Sequence, residues 1–320
     1  VVSTDDVRMA YRLILGREPE NETVLRDAAN ACGTLDDLRG AFLNSAEFRG
    51  KLEGDISGPT RWSGMEPPME VEDRVDEATL ARLLERVGLC WTGLAEVEPH
   101  WAVLTNDNFT RSNIAAHQDA FYASGRNDVD RLAAFLARSS LSLPADARCL
   151  EIGCGVGRVT GWLAGRVGHV TAVDIAPPML RLAGEHLDQL GVGNVSLAHL
   201  DSIARLGTLG AFDILFSVLV IQHNPPPVMG HLLRTALDTL APGGIAYFQL
   251  PTYAPDYRFR AADYLAQDPR SHKMEMHALP QHTVFALLEE AGLRVLEVAE
   301  DELVGNRLWR SNTILARKST

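Results

Sequence analysis

Basic residues are in the minority in this 320-residue chain: 30 Lys and Arg stand against 42 Asp and Glu, a formal charge of -12. Broad binding to a phosphate backbone needs clustered Lys and Arg, so the charge balance disfavours nucleic acid as a partner. Cysteine is scarce as well. Cys32, Cys90, Cys149 and Cys154 form no CxxC pair and have no His-rich companion, which argues against structural zinc and fits a reducing compartment. No apolar run reaches the roughly 18 residues that cross a bilayer, and the opening stretch is too charged and too helical in pattern for a signal peptide. A cytoplasmic location is therefore expected. Internal repeats and low-complexity tracts are also lacking. What is present, 46% hydrophobic and 22% charged residues, suits an ordinary globular protein, and the length predicts one core domain of about 200 residues with a smaller attachment.

Hydrophobic spacing divides the chain further. Residues 5–50 place Val7, Tyr11, Ile14, Leu25, Ala28, Leu38, Phe42 and Phe48 at helical intervals, broken by Gly16, Pro19 and Gly33. A helical module over 1–53 is expected, then a Gly/Pro/Ser-rich linker over 54–74. Residues 75–126 read as a helical lid or substrate-pocket segment, with Trp91 to Gly125 lacking a clean period. From Asn127 to the end, strand and helix signals alternate. Strands are expected at 148–152, 169–174, 195–200, 212–217, 245–250, 294–299 and 307–316, with helices near 157–167, 177–190, 227–240 and 280–291. Such alternation predicts an α/β, mostly parallel sheet with helices on both faces.

The chemistry is written at the strand ends. In CLEIGCGVGRVTGWLA an apolar strand ends in Glu151, three glycines follow at alternate positions (Gly153, Gly155, Gly157), and a helix begins. Glycine lets a backbone turn sharply and approach a ligand closely. No Lys-Ser or Lys-Thr follows, which rules out a Walker-type phosphate loop. The second strand ends in Asp174, 17 residues beyond Gly157, where a carboxylate can accept hydrogen bonds from ribose hydroxyls. A nicotinamide enzyme also places an acid there. Asp201 and Ser202 close the third strand, so three acids stand at three successive strand ends.

This set resembles the class I S-adenosylmethionine-dependent methyltransferases over about residues 127–250, including the LAPGGIAYFQL turn before the fifth strand. The resemblance implies a Rossmann-like doubly wound sheet with an antiparallel last strand, S-adenosyl-L-methionine as cofactor and S-adenosyl-L-homocysteine as its product. It further implies Ile175 and Met179 beside the adenine, Asp201 or Ser202 at its amino group, Ser217 and Val218 near the sulfonium, and Tyr122 folded over the cofactor from ahead of the first strand. The phrases YRLILGREPE and FLNSAEFR resemble a short bacterial helical module that often accompanies surface-glycan enzymes.

A methyl group on a sulfonium is already electrophilic, so the protein mainly aligns the nucleophile. A hydroxyl acceptor also needs a base, and His is the commonest choice near neutral pH. His223, on the loop after the fourth strand, is the leading candidate and His277 the second; helix capping by His223 is the alternative. Acceptor contacts are expected from Asn108, His117, Gln222, Tyr253, Tyr257, Arg258 and Tyr264, each of which also has an ordinary reading as a core or rim residue. Asn224-Pro225-Pro226-Pro227 lacks the aromatic residue of the base-flipping motif it approaches and is read as a helix start. No metal is expected. The expected function is methyl transfer to a hydroxyl of a small molecule or a sugar or glycan precursor. Alternatives are a protein or RNA methyltransferase, a non-catalytic cofactor-binding protein and a nicotinamide dehydrogenase. A homodimer through the amino-terminal helices is a further expectation, without a heptad pattern to support it.

Overall fold

The computed structural model describes residues 2–45, 47–48, 65–268, 274–306 and 308–320. The chain divides into two compact units, Val1–Met65 and Glu66–Thr320. In the first, α1 (Thr4–Ile14), α2 (Glu22–Ala31) and α3 (Leu35–Leu43) each start on a side-chain cap, Ser3, Asn21 and Thr34, with reciprocal capping boxes at Ser3 and Thr34. Their apolar faces meet in a small core of Val7, Leu25, Leu38 and Phe42.

The second unit is built on a seven-stranded sheet. Its strands are β2 (Arg148–Ile152), β3 (His169–Asp174), β4 (Val195–His199), β5 (Phe212–Ser217), β6 (Leu240–Tyr253), β8 (Leu293–Asp301) and β9 (Arg310–Lys318), in the order β4-β3-β2-β5-β6-β9-β8. Strands β2 to β6 pair in parallel, and β9 runs antiparallel to both β6 and β8. Alternation along each strand splits the core between two faces. Leu150, Ile152, Leu215 and Phe248 pack on one side against α9 (Pro226–Asp238) and α11 (Gln281–Glu290). Cys149, Ile214, Phe216 and Tyr247 pack on the other against α6 (Ile114–Arg138) and α7 (Thr160–Ala164). The chain leaves β2 toward β3 on one side and returns at β5 on the other, which opens a crevice at the carboxyl ends of β2 and β5.

Two expected boundaries move. Residues 54–64 of the expected linker lie outside the described residues, while its later part is structural: β1 (Glu70–Val71) pairs with β7 (Arg258–Phe259), and the Glu72 carboxylate accepts from the Ala261 amide at 2.7 Å. The expected break at 126/127 falls inside α6, whose 25 residues run without interruption. Gly125 lies within that helix, and its missing Cβ leaves room for the Arg158 carbonyl, so α6 lies tight against the glycine loop. Ahead of α6 come α4 (Glu77–Val97) and the short α5 (Pro99–Val103). The remaining helices are α8 (Pro177–Gln189) and α10 (Ala261–Leu265).

Candidate active site

Between β2 and α7 the backbone takes positive φ at 74° for Gly153, 53° for Gly155 and 83° for Gly157. Residues with a Cβ are strained in that region, so the alternate glycines are a requirement of the turn. The third serves packing: a Cβ on Gly157 would meet Ala183 of α8 at 3.3 Å. The first two face a cavity at the crevice. Its wall is formed by Asp174, Ile175 and Met179 after β3, Leu200 and Ile203 after β4, and Val218 to Val220 after β5. Leu84, Val87 and Trp91 of α4, with Ala102 and Val103 of α5, roof it.

Two ionisable groups lining this cavity each keep one buried atom without a hydrogen-bond partner. Glu151 is 3% exposed, and its Oε2 is buried without a hydrogen bond. Burial is the main cause that pushes its pKa up to about 7. Arg158, 5% exposed, holds Asp128 at 2.6 Å through Nη2, yet its Nε is buried with no acceptor. Buried polar atoms are rarely left unpaired in proteins. An orphan acceptor and an orphan donor in the lining of one cavity fit a zwitterionic amino-acid group. Asp174 stands opposite, its carboxylate accepting from the Gly155 amide at 2.8 Å and the Ala176 amide at 2.9 Å. Burial raises its pKa against those bonds, and each oxygen keeps acceptor capacity for a diol.

His223 closes the far side, its ring edge-on to Trp91 with centroids 5.1 Å apart. Its Nδ1 lies 2.8 Å from the Glu275 carbonyl and its Nε2 3.2 Å from the Gln222 amide nitrogen. Because a carbonyl only accepts, Nδ1 carries the proton and Nε2 the lone pair. Burial lowers the pKa to about 4, so the ring is neutral near pH 7.

Several expected site residues lie elsewhere. Asp201 points to solvent and pairs with Arg205 at 3.4 Å, and Ser202 is also exposed. Strand β4 ends at His199, so Leu200 takes the inward position and Asp201 the outward one. Ser217 is buried below the cavity, donating to the Ile152 carbonyl at 3.3 Å. Tyr122 stacks on His186 with centroids 3.4 Å apart and does not line the cavity; its backbone carbonyl accepts from the Trp162 indole. Gln222 is buried beside His223 instead of in the lining. Asn108 is exposed, and neither it nor His117 lines the cavity.

The insert after β6 forms its own cluster. Tyr257 Oη meets His277 Nδ1 at 2.7 Å, and His277 Nε2 lies 3.6 Å from Glu275. The Arg86 guanidinium sits 4.2 Å above the Tyr264 ring and donates to the Tyr264 carbonyl. Arg258 is exposed and pairs with Glu70, while Tyr253 donates to the Pro67 carbonyl at 3.0 Å. These residues tie the insert to the body of the domain, and none lines the cavity. The roof residues and Arg158 were missed by sequence reasoning; for Arg158 the only signal is a charge directly after the glycine run. Among the described residues, no group of three or more metal-ligating side chains occurs, and no helix is long and apolar enough to cross a membrane.

A family model described as a methyltransferase domain matches residues 149–244, the stretch from β2 through the start of β6. Residues 149–244 are thus similar to a methyltransferase domain. The chain is also similar to the ubiquinone biosynthesis O-methyltransferase of Xanthomonas axonopodis, 27% identical over 161 residues, 49% of this chain and 66% of the relative. A phosphoethanolamine N-methyltransferase of Zea mays is 29% identical over 100 residues, 31% of this chain and 20% of that one. The chain thus spans less than two thirds of the length of these relatives. Among solved structures, an N-methyltransferase of Bradyrhizobium japonicum with bound S-adenosyl-L-homocysteine is 19% identical, covering 72% of this chain and 99% of that one at a TM-score of 0.47.

Proposed function

We propose that this chain transfers a methyl group from S-adenosyl-L-methionine to a hydroxyl of a small molecule. The observation that carries this is the unpartnered pair Glu151 Oε2 and Arg158 Nε at a glycine loop, complementary to the two charges of the cofactor's amino-acid end. Asp174 would accept from the ribose hydroxyls. Ile175, Met179, Leu200 and Ile203 supply apolar surface for the adenine. When bound, the cofactor supplies a methyl carbon made electrophilic by its sulfonium.

The chain's own residues then have three tasks. The wall fixes the methyl donor in one orientation, and alignment of this kind supplies much of the rate in such displacements. Trp91, Val87 and Val103 cover the cavity and keep water from the reacting atoms. His223 Nε2, the unprotonated nitrogen, would take the acceptor's hydroxyl proton once the acceptor displaces the Gln222 N–H from its single lone pair, while the methyl carbon exchanges its bond to sulfur for one to oxygen. A hydroxyl acceptor is further supported by the O-methyltransferase relative. The finer expectation of a sugar or glycan precursor is supported only by the resemblance of residues 5–50 to a module found beside glycan enzymes.

Calorimetric titration with S-adenosyl-L-homocysteine and with NAD, followed by transfer of labelled methyl to a panel of phenols, sugars, amines, peptides and RNA, tests this. Binding of the thioether product with label in a hydroxyl is expected. Preferential binding of NAD, or label confined to amines, peptide or RNA, overturns it.

A further inference from the structure

A fully buried glutamine lies behind the proposed base. Gln249 is 0% exposed in the middle of β6, between apolar neighbours. Its Oε1 accepts from the Leu219 amide at 3.0 Å, and its Nε2 donates to Gln222 Oε1 at 2.9 Å and to Ser311 Oγ at 2.7 Å. Leu219 is held at a φ of 61°, a left-handed conformation uncommon for a side chain with a Cβ, directly in the cavity wall.

The polarity of this chain of bonds follows from one end. A backbone N–H only donates, so the Leu219 amide fixes which end of Gln249 is oxygen. The Gln249 amide nitrogen therefore faces Gln222, whose oxygen must accept. Gln222 then turns its own nitrogen to His223 Nε2. From the other end, the Glu275 carbonyl demands a proton on Nδ1. The two ends agree. A proton on Nε2 would face the Gln222 N–H, and reversing Gln222 would face two amide nitrogens across the bond to Gln249.

We propose that Gln249 is a positioning residue that, through Gln222, keeps His223 neutral and protonated at Nδ1, with the Nε2 lone pair held by the Gln222 N–H until an acceptor hydroxyl displaces it. The titratable groups around this region are Glu275 and His277 on the segment before α11, and Arg86 and Cys90 on α4. Of these, His277 acts on His223 in the same direction as burial. This inference rests on the proposed role of His223, but its test needs no turnover.

The test is a nitrogen-15 titration of His223 in the full chain, in wild type and in Gln249→Glu, Gln222→Leu and the double variant. A glutamate at 249 accepts from the Gln222 amide, reverses Gln222 and offers its oxygen to Nε2–H. The expected result is a rise in the His223 midpoint by a pH unit or more, a tenfold gain in proton affinity, which collapses in the Gln222→Leu background. The acid limb of kcat against pH for a hydroxyl acceptor should move with it. An unchanged midpoint in Gln249→Glu overturns the proposal, as does a rise that persists undiminished without Gln222, since that would be a field effect of the new charge. Should Gln249→Glu fail to fold, Gln249→Met frees Gln222 and is expected to raise the midpoint less; no rise there also overturns it. A normal titration with no methyl transfer would instead sink the functional reading alone.

Discussion

At the scale of single residues, His223 and Glu151 have opposite electrostatic characters for the same reason. Burial disfavours charge, so it lowers the imidazole pKa and raises the carboxyl pKa. For His223 this means an unprotonated Nε2 throughout the physiological range. His223→Ala should leave the affinity for S-adenosyl-L-homocysteine near wild type and cut turnover on a hydroxyl acceptor by ~100-fold or more, read by steady-state kinetics; unchanged turnover removes the base role. For Glu151 the sign runs the other way. Free, it titrates about 7, and a bound cation favours its charged form. Product affinity should therefore rise by roughly five- to tenfold between pH 6 and pH 7.5, with proton release visible in calorimetry across buffers of different ionisation heat. Glu151→Gln should flatten that dependence.

At the scale of elements, the strands were legible because each is a short apolar run next to a glycine or an acid, and β2, β3 and β5 lie where their sequence patterns place them. Strand β6 exceeds its pattern at both ends, because Leu240 pairs with Phe212 of β5 and pairing with β9 continues past the apolar segment to Tyr253. The stretch from Trp91 to Gly125 was illegible as helices for a physical reason: Trp91 and Val103 face a cavity instead of a packed core, so the usual apolar period is broken. Asp201 is turned to solvent because β4 ends at His199 and Leu200 takes the position facing the cavity. Gln249 was overlooked, though an amide amid IAYFQL is the kind of exception that buried polar networks leave in a sequence. The tight seat of α6 gives an element-scale prediction. Gly125→Ala places a methyl against the Arg158 carbonyl and should cost ~1–3 kcal/mol or more of stability by overpacking, measured as a lowered midpoint in denaturant.

At the scale of the molecule, every cavity residue lies between Leu84 and Leu232, inside the unit Glu66–Thr320. A chain beginning at Glu66 should accordingly bind S-adenosyl-L-homocysteine within about twofold of the full chain, since sites without shared contacts behave additively; a loss of tenfold or more would give the amino-terminal unit a part in the site. The roof has its own consequence. Its helices precede β2 in the chain, yet they cover a crevice made by β2 to β5, so during synthesis they emerge before there is anything to cover. Their burial therefore depends on the finished sheet and on whatever fills the space between. Amide protons of residues 84–103 should exchange with solvent faster than those of β2 and β5, and slow selectively when ligand is added, which makes this one segment an internal gauge of cofactor occupancy.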